Sequence, residues 1–118
     1  MAQRRLLRVA DQLREELADV ILRHVHDPRV TGRDHTILRV DVSPDLRHAR
    51  VHVSTLQPEP ARSELVVGLQ SASGFIHREL LRRLRLKSVP ALVFEYDGGL
   101  AASQKISDLL HAMNKKES

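Results

Sequence analysis

The sequence predicts an α+β domain of two layers, a three-stranded sheet with helices on one face. The prediction rests on two changes of hydrophobic period and on a length that suits one core. Apolar residues recur every three or four positions at the start, every second position from Thr36, and every three or four again beyond Ser63. A period near 3.6 marks a helix with one buried face, and a period of two marks a strand with one buried face. Closing such elements as two layers around one core is the economical solution. At 118 residues the chain can bury that core without covalent staples.

The first helix is expected over residues 5–25, with Leu6, Val9, Ala10, Leu13, Leu17, Val20 and Ile21 inward. Asp27-Pro28 ends it, because a residue before proline is steered out of the helical region. Val30 to Asp34 reads as a turn. From Thr36 to Ser43 the period is two, with Leu38, Val40 and Val42 on one face and Arg39 and Asp41 on the other. Ser43-Pro44-Asp45 is a turn signal. Ala49, Val51 and Val53 then alternate with His48, Arg50 and His52, so an antiparallel pair with one buried and one wet face is expected. Ser63 is the expected N-cap of a helix that continues to about Ala72. Gly74 interrupts it, and a second helix runs from Phe75 to about Leu86. Leu92, Phe94 and Tyr96 alternate with Val93 and Glu95 as a third strand. Asp97-Gly98-Gly99 is a turn, and a last helix buries Ile106, Leu109, Leu110 and Met113. Residues 1–113 are expected to form one domain, with 114–118 a flexible polar tail.

Composition narrows the chemistry. There is no cysteine, which excludes disulfides, thiolate metal sites and a cysteine nucleophile. No apolar run reaches the roughly 20 residues of a membrane helix. The basic start lacks the apolar stretch of a secretory signal, so a cytoplasmic protein is expected, and one core accounts for the apolar stripes, so a monomer is expected. Formal net charge is +4. Residues 77–87 carry Arg78, Arg82, Arg83, Arg85 and Lys87 against Glu79, which alone accounts for that excess. Arg4, Arg5 and Arg8 add to it at the start.

Counted at about 100° per residue from Ile76, Leu80, Leu84 and Leu81 fall within about 140°. Arg78, Arg82 and Arg85 fall between about 180° and 240°, on the opposite face. Such a stripe either meets successive phosphates or serves as a solvated face. At Ala72-Ser73-Gly74 small residues permit a sharp break and a close backbone approach. A merely structural helix boundary reads from the same residues.

Catalytic motifs are sparse. His24, His26 and Asp27 resemble a ligand cluster, but His24 lies five helical turns after Leu6, so a core or helix-end histidine explains it. His48 and His52 are too far apart along one strand to share a metal. No HExxH, nucleophile elbow, Gly-x-Gly-x-x-Gly or Walker loop occurs, so no metal, cofactor or small-molecule substrate is expected. Aromatics are few, with Phe94 and Tyr96 on the expected core face, which favours recognition of RNA shape over base stacking.

The segment from Val42 to Ser54, VSPDLRHARVHVS, resembles the signature of the ribosome-binding factor A family. Arg8-Val9, Glu16-Leu17, Asp27-Pro28-Arg29, Ala72-Ser73-Gly74-Phe75 and the run from Pro90 to Asp97 match it in order and spacing over nearly the whole chain. The resemblance implies a type-II KH-like fold, α-β-β-α-kink-α-β with an added C-terminal helix, in which Ala72-Ser73-Gly74 stands for the usual Gly-x-x-Gly loop. It further implies a non-catalytic factor that associates with free 30S small ribosomal subunits. The implied role is late maturation of the subunit and of the 5′ end of its 16S rRNA, with importance in the cold. On this reading Arg78, Arg82, Arg83, Arg85 and Lys87 contact rRNA phosphates, and Arg4, Arg5 and Arg8 extend the surface. Where that family commonly has a basic residue this chain has His77, an expected weaker or pH-dependent contact. The rival readings are a small metal-dependent ribonuclease using His24, His26 and Asp27, and a basic module that binds an acidic protein.

Overall fold

The computed structural model describes residues 2–84 and 88–98. Arg85, Lys87, the expected last helix and the 114–118 tail lie outside the described residues. The elements are α1 (Ala2–His24), β1 (Thr36–Val42), β2 (His48–Ser54), α2 (Ala61–Ser71), α3 (Ser73–Leu84) and β3 (Ala91–Tyr96). This is the expected α-β-β-α-kink-α-β order.

The sheet runs β1-β2-β3. β1 pairs with β2 antiparallel, and β2 with β3 parallel. A short turn can join the first pair, but a parallel pair needs a long crossover, supplied here by α2 and α3. The helices lie on one face. Leu13, Leu17, Val20 and Ile21 of α1 meet Val40, Ala49, Val51, Val53, Leu92 and Phe94 of the sheet, and Leu65, Leu69, Ile76 and Leu80 fill the rest of the core.

The β1–β2 turn is held by side chains. Ser43 Oγ donates to Asp45 Oδ1 at 2.6 Å, Arg47 N–H donates to the same oxygen at 3.0 Å, and His48 N–H donates to Ser43 Oγ at 3.0 Å. These bonds, led by that from Ser43, keep the Asp45 carboxyl below its usual range. At the outer edge of β3, Gln70 of α2 acts as a surrogate strand. Its Nε2 donates to Leu92 O at 3.2 Å and its Oε1 accepts from Phe94 N–H at 2.9 Å. An edge that would otherwise offer free backbone groups is thereby covered.

Several expectations change. The β1–β2 register shifts between Ile37 and Arg39. This bulge packs Ile37, rather than Leu38, against the core. His52, expected on the wet face, is buried because its ring lies between Asp41, at 2.9 Å, and Asp97, at 3.2 Å. Ser63 is not the N-cap: α2 begins at Ala61, and the Glu59 carboxylate accepts the Ser63 N–H at 2.7 Å and its hydroxyl. The break between α2 and α3 falls on Ala72, at φ −85° and ψ 0°, and α3 already begins at Ser73. Gly74 therefore lies inside the first turn of α3, and its open side meets nothing within 4 Å. Of the two positions expected for His24, the structure shows the helix end: it is the last residue of α1 and is exposed.

Gly68 of α2 was not singled out by the sequence. A Cβ there would sit 3.0 Å from both Arg29 Cβ and Val30 Cγ2, so the helix rests directly on the segment after α1. Gly68→Val is expected to lose about 1–3 kcal/mol by overpacking. Urea unfolding measures this, and wild-type stability would contradict the close approach.

Candidate nucleic-acid interface

The helix layer places the basic residues unequally. Arg78 and Arg82 are exposed on α3. Arg82 Nη2 touches Glu79 Oε2 at 2.6 Å, but the Arg82 side chain is 73% exposed. Exposed pairs of this kind contribute about 0–1 kcal/mol, so the guanidinium can exchange partners with a phosphate.

Arg83 is turned the other way. It contacts Asp19 Oδ2 at 2.6 Å and Glu16 Oε2 at 3.1 Å on α1, with its side chain 22% exposed. The Arg83 hydrogen bond, and secondarily Arg23, hold the Asp19 carboxyl below its usual range. Arg83 is thus engaged by the fold and stands apart from the stripe expected to meet phosphates. The helical count carries the same message, since Arg83 falls at about 340° from Ile76, beside the core face.

Two contacts fix how α3 lies against α1. Arg83, near the end of α3, meets Glu16 and Asp19 in the middle of α1. Ala72 at the break and Phe75 in the first turn of α3 share a cleft with His24, the last residue of α1, and residues 25–28 after it. The helices are therefore antiparallel. Arg5 and Arg8 fall at about 280° and 220° from Leu13, on the flank that carries Asp19 and Glu16 at about 240° and 300°. Arg4 lies farther round, at about 180°. Arg8 sits roughly 12 Å beyond Glu16 at 1.5 Å per residue, on the side toward which α3 points. By this count Arg5 and Arg8 lie on the α3-facing flank of α1, beyond the end of the Arg83 contact, with Arg4 farther round.

The opposite face of the sheet contrasts with the exposed arginines of α3. Arg39 pairs with Asp41 at 3.4 Å and Arg50 with Glu95 at 3.3 Å, while His52 lies between two carboxylates. Its charges largely neutralise one another.

At the kink, the cleft between α1 and α3 is lined by His24, Val25, His26, Pro28, Ala72 and Phe75, with Asp27 at its wall. Asp27 is already engaged. Arg29 donates from its backbone N–H at 2.9 Å, from Nε at 3.0 Å and from Nη2 at 2.6 Å. Those bonds hold the Asp27 carboxyl down to about 2. Among the described residues no group of three His, Cys, Asp or Glu side chains converges as a metal site. His77, expected near RNA, instead anchors the segment before β3: its Nε2 lies 2.7 Å from Val89 O. In the sequence Phe75 figures as the start of the second helix and the end of the run Ala72-Ser73-Gly74-Phe75, without a role of its own. Its position at about 260° from Ile76, next to the arginine arc, was the available signal.

A sequence profile of the ribosome-binding factor A family matches residues 5–110. A ribosome-binding factor A from Prochlorococcus marinus (strain NATL1A) is 37% identical over 110 residues, covering 93% of this chain and 89% of its own. The crystal structure of ribosome-binding factor A from Thermus thermophilus superposes with a TM-score of 0.67 at 26% identity, over 77% of this chain and 93% of that one. A homology model of Thermus thermophilus ribosome-binding factor A, fitted into the cryo-EM map of a complex with 30S, gives a TM-score of 0.60 at 27% identity, over 73% of this chain and 88% of that one.

Two measurements test this geometry. Arg83→Ala should lower the melting temperature in calorimetry, whereas Arg82→Ala, a surface change, should stay within about 0.5 kcal/mol of wild type. Equal effects would mean the two arginines are not divided as described. Asp27 should titrate near 2 by NMR, and Arg29→Ala should move it toward the unperturbed 3.8. Because its folded value is depressed, Asp27 contributes stability that is present above the unfolded value and lost as pH falls through the folded one. A wild-type midpoint near 3.8 would contradict the Arg29 contacts.

Proposed function

The chain belongs to the ribosome-binding factor A family, and on that premise we propose that it binds the free 30S ribosomal subunit and promotes late maturation of the subunit and of the 5′ end of its 16S rRNA. The observation that carries the reading to particular residues is the one-sided exposure of Arg78 and Arg82 on α3, and Arg4, Arg5 and Arg8 extend the proposed surface. Guanidinium groups arrayed along a helix suit the backbone of a folded RNA. Phosphate contacts of this kind supply most of the sequence-independent affinity and make it salt-dependent. Arg85 and Lys87 belong to the same proposed surface by sequence, whereas Arg83 supports it indirectly by holding α3 against α1.

The proposed role is that of a binding factor without catalysis, acting where ribosomes are assembled, in the cytoplasm. The fit of a Thermus thermophilus homology model into the map of a 30S complex supports the binding part of this reading. The commitment of Asp27 to Arg29 disfavours the ribonuclease reading built on His24, His26 and Asp27. Among the described residues no helix is long and apolar enough to cross a membrane.

Co-sedimentation with free small subunits, large subunits and whole ribosomes across a salt series tests the proposal. Selective binding to free small subunits that weakens as salt rises is expected. Arg78→Glu with Arg82→Glu should remove most of that binding and reduce the salt slope by about one per lost phosphate contact, with the melting temperature nearly unchanged. Undiminished binding would show that the interface lies elsewhere. Binding retained on RNA-free subunit proteins would favour an acidic protein partner.

A further inference from the structure

Phe75 is a large apolar side chain that the core leaves aside. It is 37% exposed on the first turn of α3 and forms one wall of the cleft at the kink. The facing wall carries the exposed His24 and His26. The cleft is shallow and widely open to solvent, a shape that admits a flat ring laid on Phe75 rather than an enclosed ligand.

We propose that this cleft takes one unpaired nucleobase of an RNA strand, stacked on Phe75, while the phosphates of that strand run along Arg78 and Arg82. The inference rests on the RNA-binding reading above and adds an aromatic contact to it.

Position along the helix supports the assignment. Arg78 lies three residues beyond Phe75 and Arg82 seven, about 4.5 Å and 10.5 Å farther along the axis. All three fall within an arc of about 60°. A strand leaving the cleft along α3 therefore meets one guanidinium and then the next. Aromatic side chains stack on any base, and imidazole edges such as those of His24 and His26 hydrogen-bond base edges. The open side of Gly74, with nothing within 4 Å, lets a sugar-phosphate approach the backbone beside the ring. The one carboxylate at the wall, Asp27, is ion-paired with Arg29 at 2.6 Å, which reduces its repulsion of a nucleotide.

The same surface suits a partner helix poorly. A groove for an amphipathic helix presents apolar anchors in a row. The positions that follow Phe75 on its own flank, at three, four and seven residues, are Arg78, Glu79 and Arg82. One ring that faces two histidines across the cleft, with two arginines farther along α3, matches a base and its strand better than an apolar helix face.

The chain contains no tryptophan, so Phe75→Trp installs a single fluorescent reporter that keeps an aromatic face. It would be titrated with a six-nucleotide single-stranded RNA and, in parallel, with free small subunits. Both should quench its fluorescence, and its affinity should stay near that of the wild type. Phe75→Leu keeps apolar bulk but loses the aromatic face, and should bind roughly tenfold or more weakly. Unchanged fluorescence, or Phe75→Leu binding within twofold of wild type, overturns the proposal. Quenching by subunits but not by the oligonucleotide points to a protein occupant and overturns it as well. The doubly charge-reversed Arg78→Glu, Arg82→Glu variant separates the two levels. If it binds subunits normally, the interface reading itself fails. If it loses binding while Phe75→Leu does not, only the cleft assignment falls.

Discussion

The parallel pairing of β2 with β3 is the constraint on which the remaining architecture depends. The chain leaves β2 at one end of the sheet and must return to start β3 in the same direction, which no tight turn can do. The crossover must also bury an apolar side along its length. Two helices broken at Ala72 meet both demands: α2 lies over β3 and rests on Arg29 and Val30 through Gly68. α3 then runs antiparallel beside α1. The break sets the direction of α3, and that direction determines which residues of α3 face α1, which face the core and which remain outside.

Within that arrangement the basic residues divide by the partner each can reach. Arg83 meets two carboxylates of α1 and becomes part of the helix–helix contact. Arg78 and Arg82, on the outer arc, face solvent. The open face of the sheet carries charges of both signs in contact with one another. Among the described residues the proposed interface thus gathers exposed positive charge on the outer arc of α3, and charge gathered on one side attracts and orients a polyanion more effectively than the same charge spread evenly. The kink cleft lies at the start of α3, and Arg4, Arg5 and Arg8 would extend the proposed surface at the far end of α1.

Much of the fold was legible in the sequence because hydrophobic period is a local property. The strands and the first helix lie within a few residues of where alternation and the 3.6 repeat put them. The misreadings came from non-local contacts or from residues that satisfy two readings. Ile37 and Leu38 are both apolar, so alternation gives no sign that a bulge turns the first of them inward. Ser63 looks like a cap, yet the bond is made by a carboxylate four residues earlier. Gly74 draws attention as the small residue of the kink, while the break itself uses Ala72 in an ordinary right-handed conformation. At the candidate interface, Arg83 was grouped with its neighbours by sequence proximity although its angular position set it apart. Its partners are more than sixty residues away, where no local pattern could reveal them. Gln70 and His77 are further cases, since their partners on β3 and just before it lie twelve or more residues on, beyond the reach of a local pattern.

The most direct test asks which face of the molecule meets rRNA. The chain has no cysteine, so single cysteines carrying a photocrosslinker can be placed at will. Gly74→Cys occupies open space beside the arginine edge. Val93→Cys lies on the opposite, open face of the sheet, at a side chain 42% exposed. On irradiation with free small subunits, the account predicts crosslinks to 16S rRNA from position 74 and few or none from position 93. Crosslinks from position 93 alone would contradict it and place the interface on the sheet.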